Sequence, residues 1–114
     1  MLLVPIWDYV TSTGVRIIAL ATLKAFLHRN SAYADARDPV MACYQQVRRT
    51  DWGAPADVKR EIRSVSILKD GRAVFNVAGN KYRIVVWINY AYRVVYIRFI
   101  GTHRQYDAID AQTI

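Results

Sequence analysis

The chain has 114 residues, 54% of them hydrophobic, which suits one domain with a real core and excludes wholesale disorder. Sixteen Lys and Arg against nine Asp and Glu leave a formal charge of +7. That surplus fits a phosphate backbone, an acidic protein, an anionic membrane surface or a plain solvated basic surface. Cys43 is the single cysteine, so an internal disulfide is excluded and a reducing cytoplasm is the default.

The first fourteen residues, MLLVPIWDYVTSTG, are apolar but short, carry no basic residue at the front and are interrupted by Pro5 and Asp8. They match a signal peptide poorly, and no apolar run approaches the roughly 18 residues of a membrane span. Asp8 is their only charge, so the basic character belongs to the rest of the chain. From Val15, VRIIAL reads as a strand. Thr22 is placed to cap a helix over LKAFLHRN, in which Leu23, Phe26 and Leu27 recur at helical spacing. His28 at its end reads as an exposed cation. A second helix runs through SAYADARDPVMACYQQVRRTDW, with Ala36, Val40, Cys43, Tyr44 and Val47 on one face. Arg48 and Arg49 fall near its C-terminus, where cations are favoured. Cys43 has no metal-ligand pattern around it and reads as buried filler. Gly53 and Pro55 end this element, and ADVKREIRS reads as a short basic connector.

Beyond residue 64 the pattern turns to strands. VSILK, RAVFNV, KYRIVVWINY and RVVYIRFI are β-branched and aromatic, and Asp70-Gly71, Gly79-Asn80 and Ala91-Tyr92 mark the turns. The fold class is α+β: an antiparallel four- to five-stranded sheet, two N-terminal helices packed on one face, and a short C-terminal helix. Closing each hairpin around two residues sets Phe75 opposite Ile84, Val77 opposite Tyr82, Ile84 opposite Phe99, Val86 opposite Ile97 and Ile88 opposite Val95. One face is then almost wholly apolar, as a half-buried sheet requires. The other collects Lys69, Arg72, Asn76, Lys81, Arg83, Tyr96 and Arg98, with Trp87 among them. Like charges repel across neighbouring strands, so an anion between them would be stabilising; simple solvation is the plainer alternative.

The last strand ends at RFIGTHRQYD, which supplies His103, Tyr106 and Asp107 within a few residues. Over RIIALATLKAF, PADVK, SILKDGRAVFNVAGNKYRIVVWINY and VVYIRFIGTHRQYD, spanning residues 15–110, the chain resembles the HigB toxins, a branch of the RelE-like superfamily of toxin–antitoxin systems. FNVAGNKYR and YIRFIGTHRQYD are the most specific pieces. Family members tend to begin at the position of Val15, so residues 1–14 read as an extension, with one toxin domain at 15–114.

The resemblance implies a cytoplasmic mRNA interferase, an endoribonuclease that cleaves transcripts on the ribosome and halts translation. It implies a HigA-like helix-turn-helix antitoxin as partner, with mRNA and ribosomal RNA as the other contacts and no membrane. The chemistry would be a metal-independent attack of a ribose 2′-OH on the adjacent phosphate, with no cofactor and no metal. That reaction needs a base, an acid and cations at the crowded phosphate. His103 is the candidate base or acid; otherwise it is a helix-start residue with a local hydrogen bond. Arg83 and Arg98 match basic positions of the RelE-like active site and suit phosphate binding; the alternative for each is a salt bridge to Asp107 or Asp70. Tyr106 could stack on a base or handle a proton. Asp107 either orients His103 or caps the helix. Lys69, Arg72, Lys81 and Asn76 are candidate RNA contacts. Two rival readings keep the fold without the catalysis: an RNA-binding module, and a degenerate toxin acting as an antitoxin-binding corepressor.

Overall fold

The computed structural model describes residues 15–114; the extension read at 1–14 lies outside the described residues. Strand β1 (Arg16–Ile18) leads into helix α1 (Leu20–Arg29), a 3-10 segment (Ser31–Ala36), α2 (Arg37–Arg48) and α3 (Pro55–Glu61). Then come β2 (Ser66–Ile67), β3 (Arg72–Val77), β4 (Tyr82–Asn89), β5 (Val94–Thr102) and the short α4 (His103–Asp107). The five strands lie in the order β1-β5-β4-β3-β2. Strands β2 to β5 form the antiparallel run that the turns foretold, and β1 joins it as a parallel edge strand beside β5. The α+β class holds, with a mixed rather than purely antiparallel sheet.

Helices α1 and α2 bury Leu23, Phe26, Val40 and Val47 against one sheet face. That face is built from Ala73, Phe75, Val77, Tyr82, Ile84, Val86, Ile88, Val95 and Ile100. Trp52 enters the same core, its ring 6.2 Å from that of Phe75, and its Nε1 donates to Glu61 Oε2 at 3.2 Å. Thr22 is not a cap: α1 begins at Leu20, with Ala19 in the cap position and no side-chain cap bond. A cap is worth about 1 kcal/mol, less than burying Leu23 and Phe26 at roughly 1.5–3 kcal/mol each, so packing sets the helix start. The long second helix is also broken. Asn30 turns the chain, its Oδ1 accepting from the Ala32 amide at 2.9 Å, and the 3-10 segment precedes α2. The basic connector is helical as α3, with Pro55 in its first turn, where the missing N–H is harmless.

Asp70 and Gly71 both take positive φ, 56° and 80°, as a tight hairpin turn demands, but Ile67 faces Ala73 and Ser66 faces Val74, one residue off the register that closing around Asp70-Gly71 sets. The β3–β4 register is as read: Phe75 faces Ile84 and Val77 faces Tyr82. The β4–β5 register is not. Val86 faces Ile97 and Ile88 faces Val95 as expected, but Val85 faces Phe99 and Ile84 faces Ile100. The shift falls between Val85 and Val86; Arg98 is the extra residue, a β-bulge in β5. Ile100 rather than Phe99 therefore enters the helix-side core. Phe99 turns to the opposite face, where it packs with Val74, Val85 and Ala111, flanked by Leu68, Tyr106, Ile109 and Ile114. The polar face read from the sequence thus carries a second, smaller apolar cluster, covered by the segment after α4.

Lys81 also departs from that face. It lies in the β3–β4 turn and its ammonium pairs with Asp35 of the 3-10 segment. The buried Tyr82 donates its hydroxyl to Asp35 Oδ1 at 2.6 Å. The Lys81 ammonium first, then the Tyr82 hydroxyl, hold the Asp35 carboxyl below its ordinary range. Burial first, then the Asp35 carboxylate, push the Tyr82 phenol from 10.0 up to about 12.

Two outcomes follow from the packing. Phe26 is fully buried, so Phe26→Ala is expected to cost about 3–5 kcal/mol, read as a lower urea midpoint. Because the folded pKa of Tyr82 is raised, its stabilisation is complete below pH 10.0 and is lost as pH rises toward about 12. Thermal midpoints of the wild-type chain should fall across that window. Tyr82→Phe should flatten this part of the fall while lowering the midpoint at neutral pH.

Candidate active site

The end of β5 is fixed before any functional side chain is placed. Thr102 caps α4 with its side chain accepting from the Gln105 amide at 3.1 Å, and Gln105 Oε1 accepts from the Thr102 amide at 2.8 Å. This reciprocal capping box satisfies two donors that a helix start otherwise leaves orphaned. Gln105 Nε2 also donates to the Tyr33 hydroxyl at 3.2 Å, and Tyr33 stacks on Phe26 with centroids 4.3 Å apart. The His103 amide donates to the Lys81 carbonyl at 3.0 Å. The four-residue step from His103 to Asp107 puts both side chains on one side of α4.

There His103 Nδ1 lies 2.9 Å from Asp107 Oδ2, with the two side chains 58% and 60% exposed. Nδ1 donating to the carboxylate leaves Nε2 outside this bond. Asp107 thus partners the imidazole, and the cap is Thr102 instead. Arg83 of β4 reaches the same place: its guanidinium carbon is 5.6 Å from the Tyr106 ring centroid, and Nη1 donates to the Asn80 carbonyl at 2.5 Å. Asn76 stands directly opposite Arg83 on β3, its amide donating to the Ser64 carbonyl at 2.7 Å. On the other side Arg83 faces Gly101. A Cβ at Gly101 would sit 2.5 Å from Phe99 Cζ and 2.8 Å from Gln105 Oε1, so only glycine admits both groups.

The structure therefore pairs His103 with Asp107 on α4 and sets Arg83 over Tyr106 of the same helix, with Asn76 opposite Arg83. Arg98 is on the same side of the sheet but elsewhere. Its Nε donates to the Ile114 main-chain oxygen at 3.3 Å, and Arg72 donates to the same oxygen. Lys69 keeps an exposed side chain while its main chain is tied to the Gln112 amide at 2.9 and 2.8 Å. Lys81 faces the helix side. Neither Arg83 nor Arg98 forms a salt bridge to Asp107 or Asp70 among the described residues. His28 is exposed at the end of α1. Burial pushes the Cys43 thiol up to about 11, which keeps it protonated and inert. Gln105 and Tyr33, which hold the site, escaped the sequence reading. The Thr102-to-Gln105 spacing was a capping-box signal in plain view, whereas nothing local points to Tyr33.

The model of a family described as the RelE-like toxic component of a toxin–antitoxin system matches residues 36–109, a span that takes in α2 through α4. Fold and match together define a RelE-like toxin. Within that class, the chain belongs to the HigB toxin family. It is 29% identical over 94 residues to the mRNA interferase toxin HigB of Escherichia coli, covering 81% of this chain and 90% of that one. The mRNA interferase HigB of Shigella flexneri matches with the same identity and coverage. Among the described residues no helix is long and apolar enough to cross a membrane.

Gly101→Ala tests the construction of the site. It should destabilise the fold by about 1–3 kcal/mol through overpacking and loosen α4. A lower denaturation midpoint, together with weakened near-ultraviolet dichroism from the displaced Phe99 and Tyr106 rings, is the expected readout.

Proposed function

We propose that this chain is an endoribonuclease toxin that cleaves mRNA in the cytoplasm, with residues 15–114 sufficient for the activity. The pairing of His103 with Asp107 at 2.9 Å, beside an arginine laid over an aromatic ring, carries the reading. The names borne by the relatives, mRNA interferases, support the same substrate.

In this reading the 2′-hydroxyl oxygen attacks the neighbouring phosphorus and the P–O5′ bond breaks. The products are a 2′,3′-cyclic phosphate and a free 5′-hydroxyl. One proton leaves the 2′-oxygen and one is delivered to the 5′-oxygen, so no metal or cofactor is required. His103 Nε2 exchanges one of these protons, with Asp107 holding the ring. Arg83 neutralises the charge that builds on the phosphate; a guanidinium stays ionised throughout and offers paired donors. Tyr106 lends its ring to a neighbouring base. Asn76 and Lys69 contact the flanking backbone. Arg98 and Arg72, held together at Ile114, serve RNA away from the bond being cut. The message is cut on the ribosome, and a HigA-like helix-turn-helix antitoxin silences the enzyme.

Primer-extension mapping of a translated and an untranslated message, after induction in a bacterium, tests this reading. Discrete cuts in the translated message are expected. His103→Ala should reduce them by about 100-fold or more, and Arg83→Ala by a similar factor. Intact transcripts and normal growth with the wild-type chain would sink the proposal in favour of a binding module or a corepressor.

A further inference from the structure

Away from the imidazole, the same side of the sheet holds a second concavity of about 290 Å³, lined by Asp70, Arg72, Trp87, Arg98 and Gln112. The bond-breaking steps above do not use it, although two of its residues, Arg72 and Arg98, serve RNA there. Its floor is aromatic. Trp87 and Tyr96 are direct cross-strand partners, stacked with centroids 5.1 Å apart and planes 28° from parallel. The indole is held by the turn beside it: a Cβ on Gly71 would lie 3.1 Å from Trp87 Nε1 and 2.8 Å from the Ile88 carbonyl. Glycine at φ +80° both forms that turn and lets the ring lie against it.

Its wall is cationic. Arg72 faces Trp87 across β3 and β4, and the bulge in β5 brings Arg98 to the same spot. The two guanidiniums converge on one acceptor, the Ile114 main-chain oxygen. Two guanidiniums converging on one oxygen present the donor set that a phosphate oxygen would fill with charge-assisted bonds to both. Asp70 at the rim offsets part of the positive charge but forms no salt bridge with either arginine among the described residues. An aromatic platform beside converging guanidiniums matches the chemistry of single-stranded nucleic acid, a stackable base joined to a phosphate.

Trp87 lies four residues beyond Arg83 on β4, about 13 Å along the strand. The ridge of Val85, Phe99 and the C-terminal segment stands between the two places. A nucleotide seated in the concavity is therefore not the one being cut.

We propose that Trp87, Tyr96, Arg72 and Arg98 form an accessory subsite that grips one nucleotide of the same RNA strand, its base on Trp87 and its phosphate displacing the Ile114 oxygen. The proposal rests on the endoribonuclease reading for its substrate, but it makes a separate demand: these residues govern how tightly RNA is held, not how fast the bond breaks.

Two measurements on the full-length chain separate the demands. The first is binding of a 2′-O-methyl oligoribonucleotide, which lacks the attacking hydroxyl and cannot be cut. The second is steady-state cleavage of the message identified by primer extension. Trp87→Ala should weaken oligonucleotide binding about tenfold and raise KM with kcat retained, while Trp87→Phe, which keeps a ring, should restore most of the loss. The double variant Arg72→Gln, Arg98→Gln should also weaken binding and give a shallower salt dependence. Thermal midpoints of every variant establish that it folds, and the double arginine variant carries the test if the Ala variant does not. If the wild type cuts RNA and the Trp87→Ala and double arginine variants keep its affinity and KM, or lose kcat instead, the subsite is overturned. If the wild type binds the methylated strand in a Trp87-dependent way but cuts nothing, the nuclease reading falls and the subsite stands. If it neither binds nor cuts, both fall.

Discussion

The extra residue in β5 governs what the rest of this molecule can do. Without the bulge at Arg98, Phe99 would face the helices, Ile100 would turn outward and Arg83 would meet a bulky side chain across the strand. With it, Ile100 completes the core beneath α1 and α2, and Gly101 comes opposite Arg83. Phe99 is freed to join Val74 and Val85 on the other side. Thr102 then arrives in the cap position of α4, the helix whose Tyr106 lies under the Arg83 guanidinium. A bulge raises local twist and re-aims side chains; here it converts an ordinary alternating strand into the floor of a site.

The side chains at the end of β5 depend on support more than on charge pairing. The His103–Asp107 pair is exposed on both sides, and such pairs contribute little to stability. What fixes the imidazole is main-chain geometry: the capping box, the bond to the Lys81 carbonyl and the tether from Gln105 to Tyr33. Tyr33 is in turn packed on the fully buried Phe26. The helix layer thus reaches through the sheet's end to the residues on its far side. Substituting Phe26 or Tyr33 would disturb the imidazole without touching it.

How much of this was legible in the sequence depends on the range of the interaction involved. Asp70-Gly71 set its own hairpin, because positive φ at two successive positions is a local demand. The apolar positions of α1 and α2 followed from periodicity. The bulge was not legible: Ile97, Phe99 and Ile100 are all apolar, so two registers satisfy the alternation equally well, and only the covering segment at 108–114 breaks the tie. Lys81 was read on the sheet's polar face from the hairpin register, yet its partner Asp35 sits 46 residues earlier and no local pattern joins them. The cations were likewise pooled into one face. The second apolar cluster divides them, leaving Arg83 near His103 and sending Arg98 to Arg72. In the site itself, the step from His103 to Asp107 was readable as one helical turn, and Arg83 followed from strand parity.

The covering segment carries one more consequence. It is fastened by Ile109, Ala111 and Ile114, by the Gln112 amide, and by the bonds of Arg72 and Arg98 to the Ile114 oxygen. Lifting it would bare Val74, Val85 and Phe99 to water as one oily stripe. At rest, that exposure presses the segment down.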